Sequence, residues 1–540
     1  MPTECCLTPT PTPKTSRQVR RAQDRRRPAQ PEPALNPAQE ARGLTEEIMA
    51  QVAAKAGAVA LTQAELTDAE IQAWRTDLQA RLETIQQHPE ENLGHIEEAL
   101  AQASKEILCV WAQRAAQAKA NATPCRCHKC QRELTHQKCL RRHVDSRFGR
   151  LALWRAYGWC LHCETWQFPA DYALGLAQNA AASPYVQEIS ALLVTKMPPE
   201  QAAAVAERLG LKLSRCLLDR EAHRQGLKAQ ARRSETIAQL DTWEGIVQQL
   251  GRPAEGPATQ PFTLVIEIDA WIIRERDDWG QTKALREQGK EPERYHWVYM
   301  GTVFRLDQRG QTAGERAIIT QRGYVATRLG LEAFIAQLYR EALQRGLNQA
   351  EHVLVVADGG LWIWNLAKDR FPAAAQRLDL WHADEHLWEV AHVLYGRGTP
   401  EARAWVKPLL AHIRNDESAA LLASLTELKP RLLQAQQEKL QREIEYFKNN
   451  AHRMKYKAIL QARKAVQDGK ATPEQIHLAN QPLGSGAIES TCRQYQCRFK
   501  RTGQFWTTAG DEALMCLETF WRNGRWEELY PHAKSPNALN

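Results

Sequence analysis

The 540-residue sequence lacks long apolar runs, and this absence excludes several classes of protein. No segment approaches the ~18 consecutive apolar residues that a membrane span needs. The N-terminus carries charges and prolines where a secretory signal peptide needs an apolar stretch. The sequence also has no internal repeat. We therefore expect a soluble, cytoplasmic protein that has no association with membranes.

The sequence has no extreme composition either. Hydrophobic residues make up 43% and charged residues 25%, so most of the chain should fold, and its length allows roughly three or four domains. The net charge of +8 is a moderate bias that fits a polyanionic partner such as nucleic acid. Thirteen cysteines in a large intracellular chain favour reduced thiols and a metal site over disulfides.

The first half of the chain changes composition several times. Residues 1–43 contain many prolines and a basic run from Arg17 to Arg27, which predicts a disordered basic tail that is either inert or in contact with nucleic acid phosphates. Residues 44–120 have apolar residues at helical spacing, and Thr62–Glu65 has the pattern of a capping box. Residues 121–170 are rich in Cys and His and predict a zinc-binding module.

The segment 171–255 is again helical. Within it, Pro199–Ser214 predicts a helix, a turn at Gly210 and a second helix capped by Ser214. This spacing fits a helix-turn-helix that reads DNA, and it equally fits an ordinary helical hairpin. A Pro/Gly-rich linker at Pro253–Pro261 ends the region.

Two Cys-x-x-Cys pairs predict a structural zinc site. They are Cys127–Cys130 and Cys160–Cys163, separated by 29 residues, and paired thiolates on tight turns suit a tetrahedral zinc. Leu151–Trp159, between the pairs, can form the strands of a zinc ribbon-like module. The alternative is buried cysteine without a metal. Four further residues leave the ligand set open, as replacements or as a second site: Cys125, His136, Cys139 and His143.

Three carboxylates stand where chemistry is possible. Asp269 ends a predicted strand at Phe262–Ile268, and Asp358 ends another at Val353–Ala357, before two glycines. Two further strands are predicted between them, at Tyr295–Phe304 and Arg316–Thr320. Glu489 lies in the first turn of a helix opened by a Gly-Ser-Gly turn, where it also complements the helix dipole. Together they predict a site for two Mg²⁺ or Mn²⁺ ions and nucleotidyl transfer, in which a water or a 3′-hydroxyl attacks a phosphodiester.

A basic segment follows Glu489. Aromatic residues alternate with its charges, which predicts a surface for DNA backbone and unstacked bases; the alternative is a solvated helix face with an ordinary core stripe. The basic residues are Arg493, Arg498, Lys500 and Arg501, and the aromatic residues are Tyr495, Phe499, Phe505 and Trp506.

In combination, these motifs resemble the DDE-type insertion-sequence transposases, and they are most similar to the ISKra group over about residues 260–525. The resemblance rests on Asp269, Val355–Trp364, Asp379–His382, Glu445–Tyr456 and Gly484–Ser490. It implies a multidomain α+β chain with an RNase H-like core whose parts are residues 256–395, a helical insertion at 396–482, a completing Glu-bearing helix at 483–528 and a tail at 529–540.

The resemblance also implies the roles of particular residues. Asp269, Asp358 and Glu489 would be the metal-binding catalytic triad. Asp379 and His382 would be auxiliary residues that handle DNA near the active site. Because Asp384 and Glu385 also follow the last strand, either of them remains an alternative third carboxylate.

The function implied is that of a prokaryotic, nucleoid-associated transposase that acts as a homo-oligomer on DNA. It would bind the ends of its element, cleave DNA and join the freed 3′-hydroxyl to target DNA. Two alternatives remain: an RNase H-like structure-selective nuclease, and a catalytically inactive, zinc-containing DNA-binding regulator.

Overall fold

The computed structural model describes residues 67–531, except residues 89, 177–179, 252–260, 312–316 and 429–432. The basic tail, the capping box predicted at Thr62–Glu65 and nearly all of the Pro/Gly-rich linker lie outside the described residues. The described chain is α+β, with helices on either side of a mixed sheet. None of its described helices has the length and apolar character that crossing a bilayer requires.

A helical hairpin precedes the cysteine-rich module. Helix α1 (Asp68–Gln87) begins at a capping box between Thr67 and Glu70, and helix α2 (Leu93–Ala122) returns along it. The module is an antiparallel sheet of β1 (Thr135–Ser146), β2 (Gly149–Cys160) and β3 (Thr165–Gln167). The predicted ribbon strand at Leu151–Trp159 is therefore present as most of β2.

The helices after the module form a small cluster. They are α3 (Pro169–Ala173), α4 (Pro184–Lys196), α5 (Pro199–Arg208), α6 (Arg215–Ala238) and α7 (Trp243–Leu250). The predicted helix, turn and capped helix are present: Gly210 has φ +76°, and the Ser214 side chain accepts from the Leu217 N–H. Its reading of DNA stays a prediction.

The central sheet has five strands in the order β10-β9-β4-β5-β8. They are β4 (Thr263–Arg274), β5 (Tyr295–Arg305), β8 (Gly323–Thr327), β9 (His352–Ala357) and β10 (Ala375–Leu378). Strands β4, β5 and β8 pair antiparallel, whereas β9 and β10 run parallel to β4. Strand β7 (Ala317–Ile319) pairs with β6 (Arg309–Gln311) outside this sheet, so the predicted strand near residue 318 is not part of it.

Helices cover both faces of the central sheet. Three helices connect its strands along the chain: α8 (Thr282–Glu287), α9 (Leu331–Gln344) and α10 (Leu361–Arg370). After β10 come α11 (Leu380–Tyr395), α12 (Pro400–Arg414), α13 (Ser418–Leu428), α14 (Gln434–Asn450), α15 (Lys457–Gln467), α16 (Pro473–Ala479), α17 (Gly486–Phe499), α18 (Thr508–Arg522) and α19 (Trp526–Leu529).

Alternation along β4 divides the core. Ile266 and Ile268 face α9, α10 and the helices after β10, whereas Trp271 and Ile273 face α17, α6 and α18. Asp269 shares the second face, so the strand itself directs this carboxylate toward the helix that bears Glu489.

Candidate metal and carboxylate sites

The four cysteines of the two Cys-x-x-Cys pairs converge. Their Sγ atoms all lie within 4.8 Å of one another, with Cys130 and Cys160 separated by 3.5 Å and Cys127 and Cys163 by 3.8 Å. Cys127 and Cys160 are fully buried. A cluster of four cysteines with this closeness and burial is compatible with zinc.

Both pairs form the same tight turn. The Cys130 N–H donates to the Cys127 Sγ at 3.5 Å, and the Cys163 N–H donates to the Cys160 Sγ at 3.4 Å. Burial alone would raise the pKa of the Cys127 thiol, but donation from backbone N–H groups lowers it to about 6. Burial and the neighbouring thiols raise the pKa of Cys163 to about 12, so Cys127 is the thiol of the cluster that most favours the thiolate form that binds metal.

The other candidate ligands stay outside this group. Cys125 packs against the cluster, but among the described residues only the Sγ atoms of the two Cys-x-x-Cys pairs all lie within 4.8 Å of one another here. His136 and His143 are exposed, and Cys139 lies on β1. The four-cysteine set is therefore the one that the structure supports.

Three aspartates lie at the same level of the central sheet, where the parallel strands β9 and β10 end. We call this end of the strands the carboxylate edge. Parallel pairing places Glu267 opposite Val356 and Ala357 opposite Leu378, so Asp269, Asp358 and Asp379 come next on adjacent strands. The prediction that Asp269 ends its strand is wrong, because β4 continues to Arg274 in a hairpin with β5. Asp269 instead lies within β4, at the level where the neighbouring parallel strand β9 ends.

Glu489 approaches this edge from α17. One oxygen of Glu489, one oxygen of Asp379 and a ring nitrogen of His382 lie within 4.8 Å of one another. Burial and the Asp379 charge raise the pKa of Glu489. Burial also raises the pKa of Asp269, and the charge of Asp358 adds to this rise. The predicted trio of Asp269, Asp358 and Glu489 does not form so close a group among the described residues, and its metal-binding role stays a prediction.

Asp379 is engaged by the protein itself. Its fully buried carboxylate accepts from the N–H groups of Trp381 and His382 at 2.6 and 3.1 Å, and from both the N–H and the hydroxyl of Ser485. A Cβ on Gly484 would lie 2.8 Å from the same carboxylate, which explains the glycine there. Because four donors saturate Asp379, we assign it to holding the turn before α17 rather than to binding a metal.

A second buried carboxylate, which the sequence did not single out, holds the same helix. Glu267 is 1% exposed and accepts from the N–H of Ile488 at 2.8 Å. Burial raises its pKa to about 8. Glu267 and Asp379 together satisfy N–H groups at the start of α17, which have no partner within the helix.

The helices after β10 support the sheet edge. The Tyr446 hydroxyl donates to the carbonyl of Asp358 at 2.8 Å, and the Tyr456 hydroxyl donates to the carbonyl of Leu378 at 2.9 Å. Gly359 has φ +103°, and a Cβ there would lie 2.7 Å from the Tyr446 ring. These tyrosines belong to the segment Glu445–Tyr456 that carried the family resemblance, and their contacts give that segment a physical role.

The alternative third carboxylates have other partners. Asp384 forms an ion pair with Arg414 at 2.6 Å, and Glu385 is exposed and lies 3.3 Å from His382. Neither belongs to the close group that contains Glu489.

The basic and aromatic segment divides into a surface and a core. Arg498 is buried and donates to the carbonyls of Val194 and Thr195, so its predicted DNA-binding role is wrong: it holds the end of α4. The side chains of Tyr495 and Phe499, on α17, and of Trp506, after it, are also buried in the core. Arg493, Lys500 and Arg501 are exposed and remain candidates for DNA contact.

No protein-family model matches this chain, and no curated protein is significantly similar to it. The family resemblance described above therefore rests on the sequence motifs alone.

Proposed function

We propose that this protein is a DDE-type transposase that cleaves DNA and joins it to a target. One observation carries the proposal: Asp269 and Asp358 lie side by side on adjacent parallel strands, and the helix that bears Glu489 packs across the first of them. Carboxylates at the carboxyl ends of parallel strands face the crevice in which α/β proteins bind ligands.

The sheet supports an RNase H-like core. Three antiparallel strands in sequence are followed by two strands that run parallel to the first, in the order β8-β5-β4-β9-β10. This arrangement is expected for that fold, and the family resemblance implied the same fold from the motifs.

The donor set fits Mg²⁺ or Mn²⁺, because hard divalent ions prefer carboxylate oxygens. The Ala270 N–H donates to one oxygen of Asp269 at 2.7 Å, and the Gly360 N–H donates to one oxygen of Asp358 at 3.0 Å. These bonds orient each carboxylate and leave it further acceptor capacity. Divalent ions there would neutralise phosphate charge and lower the pKa of the attacking water or hydroxyl.

DNA affinity must come from elsewhere, because the carboxylates repel phosphate. The exposed Arg493, Lys500 and Arg501 supply positive charge along and after α17. The zinc-binding module and the helix-turn-helix-like pair α5 and α6 are the candidates for choosing the element ends. We propose that a structural zinc, held by the four clustered cysteines, keeps the zinc-binding module folded for this role.

The test uses the DNA that brackets the coding sequence, where an insertion sequence carries its terminal repeats. Labelled fragments of both flanks are incubated with the full chain and Mg²⁺ or Mn²⁺, together with a target plasmid. We expect cleavage and joined products from the parent protein. Asp269→Asn, Asp358→Asn and Glu489→Gln should each lower both by more than 10³-fold while DNA binding persists. Glu332→Gln is the matched control, since this carboxylate is exposed on α9 and is not a candidate for the triad.

Each other outcome has a clear meaning. Cleavage without joining would identify a structure-selective nuclease. Binding to the flanks without cleavage would identify a regulator with an inactive core. Full activity of Glu489→Gln would remove Glu489 from the triad and transfer its role to another carboxylate.

A further inference from the structure

An aromatic pair lies beyond the carboxylate site and is not used by it. Trp279 is 60% exposed, and its ring meets the ring of Phe505 edge to face, with centroids 4.7 Å apart. Two hollows share these rings: one of about 730 Å³ bounded by α6, and one of about 370 Å³ bounded by the loop before β5. A large exposed aromatic ring between two hollows is a binding surface rather than a core element.

The pair is rigidly mounted. The loop that bears Phe505 pairs with the end of β4: the Trp506 N–H donates to the Arg274 carbonyl at 3.0 Å, and the Arg276 N–H donates to the Trp506 carbonyl at 2.9 Å. The Trp279 N–H donates to the carbonyl of Arg276 at 3.0 Å. Both rings therefore stand on backbone that hydrogen bonds hold in place.

Three exposed arginines surround the pair. Arg274 lies over the Phe505 ring at 5.8 Å, Arg276 lines the larger hollow and Arg294 lines the smaller one. None of the three forms an ion pair within the described residues. An exposed aromatic surface bordered by guanidinium groups that have no ion-pair partner suits a ligand that has both flat rings and phosphates.

The neighbouring carboxylates do not cancel this charge through ion pairs. Asp277 accepts from the Thr508 N–H at 2.8 Å, and Asp278 accepts from the Glu293 N–H at 2.7 Å. Glu293 itself pairs with His296. Each acid is thus used to hold a loop.

Two elements lead away from the carboxylates, and the loop that follows each of them bears one ring of the aromatic pair. Along β4, Arg274 lies five residues beyond Asp269, which is ~17 Å at the rise of a strand. Along α17, Lys500 lies eleven residues beyond Glu489, which is ~16 Å at the rise of a helix. This span equals about five steps of a DNA strand at ~3.4 Å per step.

We propose that Trp279 and Phe505 stack an unpaired base of the DNA strand whose phosphodiester lies at the carboxylate edge, with Arg274, Arg276 and Arg294 holding its phosphates. The ligand is single-stranded because paired bases inside a duplex have no free face to stack on a side chain. This inference rests on the proposed function for the identity of the substrate.

The experiment measures binding alone, so it is independent of catalysis. The full chain is titrated with two fluorescent probes: a blunt DNA hairpin and the same hairpin with a five-nucleotide single-stranded extension. The buffer contains neither added Mg²⁺ or Mn²⁺, which keeps the DNA uncut, nor a chelator, which would remove the structural zinc. Trp279→Ala should weaken binding to the extended probe by about 5-fold to 150-fold, the range for loss of one stacked base, and should leave the blunt probe unchanged. Trp279→Phe should retain most of the affinity.

The matched control is Trp243→Ala, since Trp243 is 74% exposed on α7 and does not line either hollow. A triple variant, Arg274→Gln with Arg276→Gln and Arg294→Gln, should weaken binding to the extended probe more than binding to the blunt probe and should lower the salt dependence of the extended probe. Equal weakening of the two probes would remove the arginines from the unpaired strand. Equal loss on both probes by Trp279→Ala, or no loss on either, would overturn the stacking role. Activity of the triad variants would instead overturn the proposed function and leave this binding result standing.

Discussion

The sharpest consequence of the structure concerns Asp379, whose carboxylate joins two segments that lie 106 residues apart in sequence. One oxygen accepts from the first turn of α11, and the other accepts from Ser485 at the turn that opens α17. Replacing Asp379 by Ala would leave these donors buried without an acceptor. Replacing it by Asn would preserve the shape and affect mainly one half of the contact.

The magnitudes follow from the number of donors. A hydrogen bond to a charged group contributes about 1.5–3 kcal/mol, but bonds to one carboxylate do not add fully, so we expect Asp379→Ala to lower the free energy of unfolding by about 4 kcal/mol. Asp379→Asn turns an amide N–H₂ toward the two Ser485 donors and should lower the same free energy by about 2 kcal/mol. Ser485→Ala removes only the hydroxyl bond to this carboxylate, which contributes about 1.5–3 kcal/mol.

The effect on activity should exceed the effect on stability. Glu489 lies in the first turn of α17, and its N–H donates to the Ser485 carbonyl at 3.1 Å. A displacement of ~1 Å at a reacting group lowers a rate by roughly 10²-fold. We therefore expect Asp379→Asn to slow DNA cleavage by about 10²-fold while DNA binding remains normal.

The measurements are urea denaturation followed by circular dichroism, and cleavage of the flanking DNA under single-turnover conditions. Glu332→Ala is the control, because its side chain is exposed on α9 and is not a candidate for the triad. If Asp379→Asn kept the denaturation midpoint and the cleavage rate of the parent protein, the assignment of Asp379 to holding the start of α17 would be refuted. Ser485→Ala tests the same contact with little risk to folding.

Two further predictions concern other parts of the chain. Removing metal with a chelator, or replacing Cys160 by Ser, should release about one zinc per chain. Residues 121–170 should then become sensitive to protease, because so small a module has too little core to fold alone. Protein that is purified without chelator and contains no zinc would contradict this prediction. Burial and the nearby Glu275 carboxylate raise the pKa of Asp511 to about 9 although Arg328 opposes the rise. The native state therefore keeps a proton that the unfolded state loses, and this group's contribution to stability falls as pH rises from about 4 to about 9, by at most ~1.4 kcal/mol per pH unit. Asp511→Asn should flatten that decline in denaturation midpoints between pH 6 and pH 8.5, and an unchanged slope would count against the buried proton.

Local patterns predicted what depends on neighbouring residues. The two Cys-x-x-Cys turns form within four residues each, and the capped helix that begins after Ser214 depends on the adjacent turn, so spacing alone was sufficient for both. The apolar runs that became β4, β5 and β9 were visible for the same reason. The end of β4 was not, because its last residues are strand only by pairing with β5.

Contacts between distant segments were beyond such patterns. Glu267 meets the N–H of Ile488 across 221 residues, and Tyr446 meets the carbonyl of Asp358 across 88 residues. Nothing local distinguishes Glu267 from an alternating polar residue of a half-exposed strand. The predicted DNA contact of Arg498 failed for the same reason. Helical periodicity predicts which residues share a face of α17, but it does not predict whether that face contacts solvent or α4.

The start of α17 shows why the fold and the proposed chemistry depend on the same residues. Two carboxyl groups, Glu267 and Asp379, are buried beside a third, Glu489, and burying a polar group is costly unless it is hydrogen-bonded. The unpaired N–H groups at a helix start supply those bonds and, with the helix dipole, favour negative charge there. Within the described residues no backbone N–H donates to the Glu489 carboxylate, and burial raises the pKa of Glu489. The two carboxylates that the protein satisfies therefore hold the helix, and the one that it satisfies less is the one available to bind a cation.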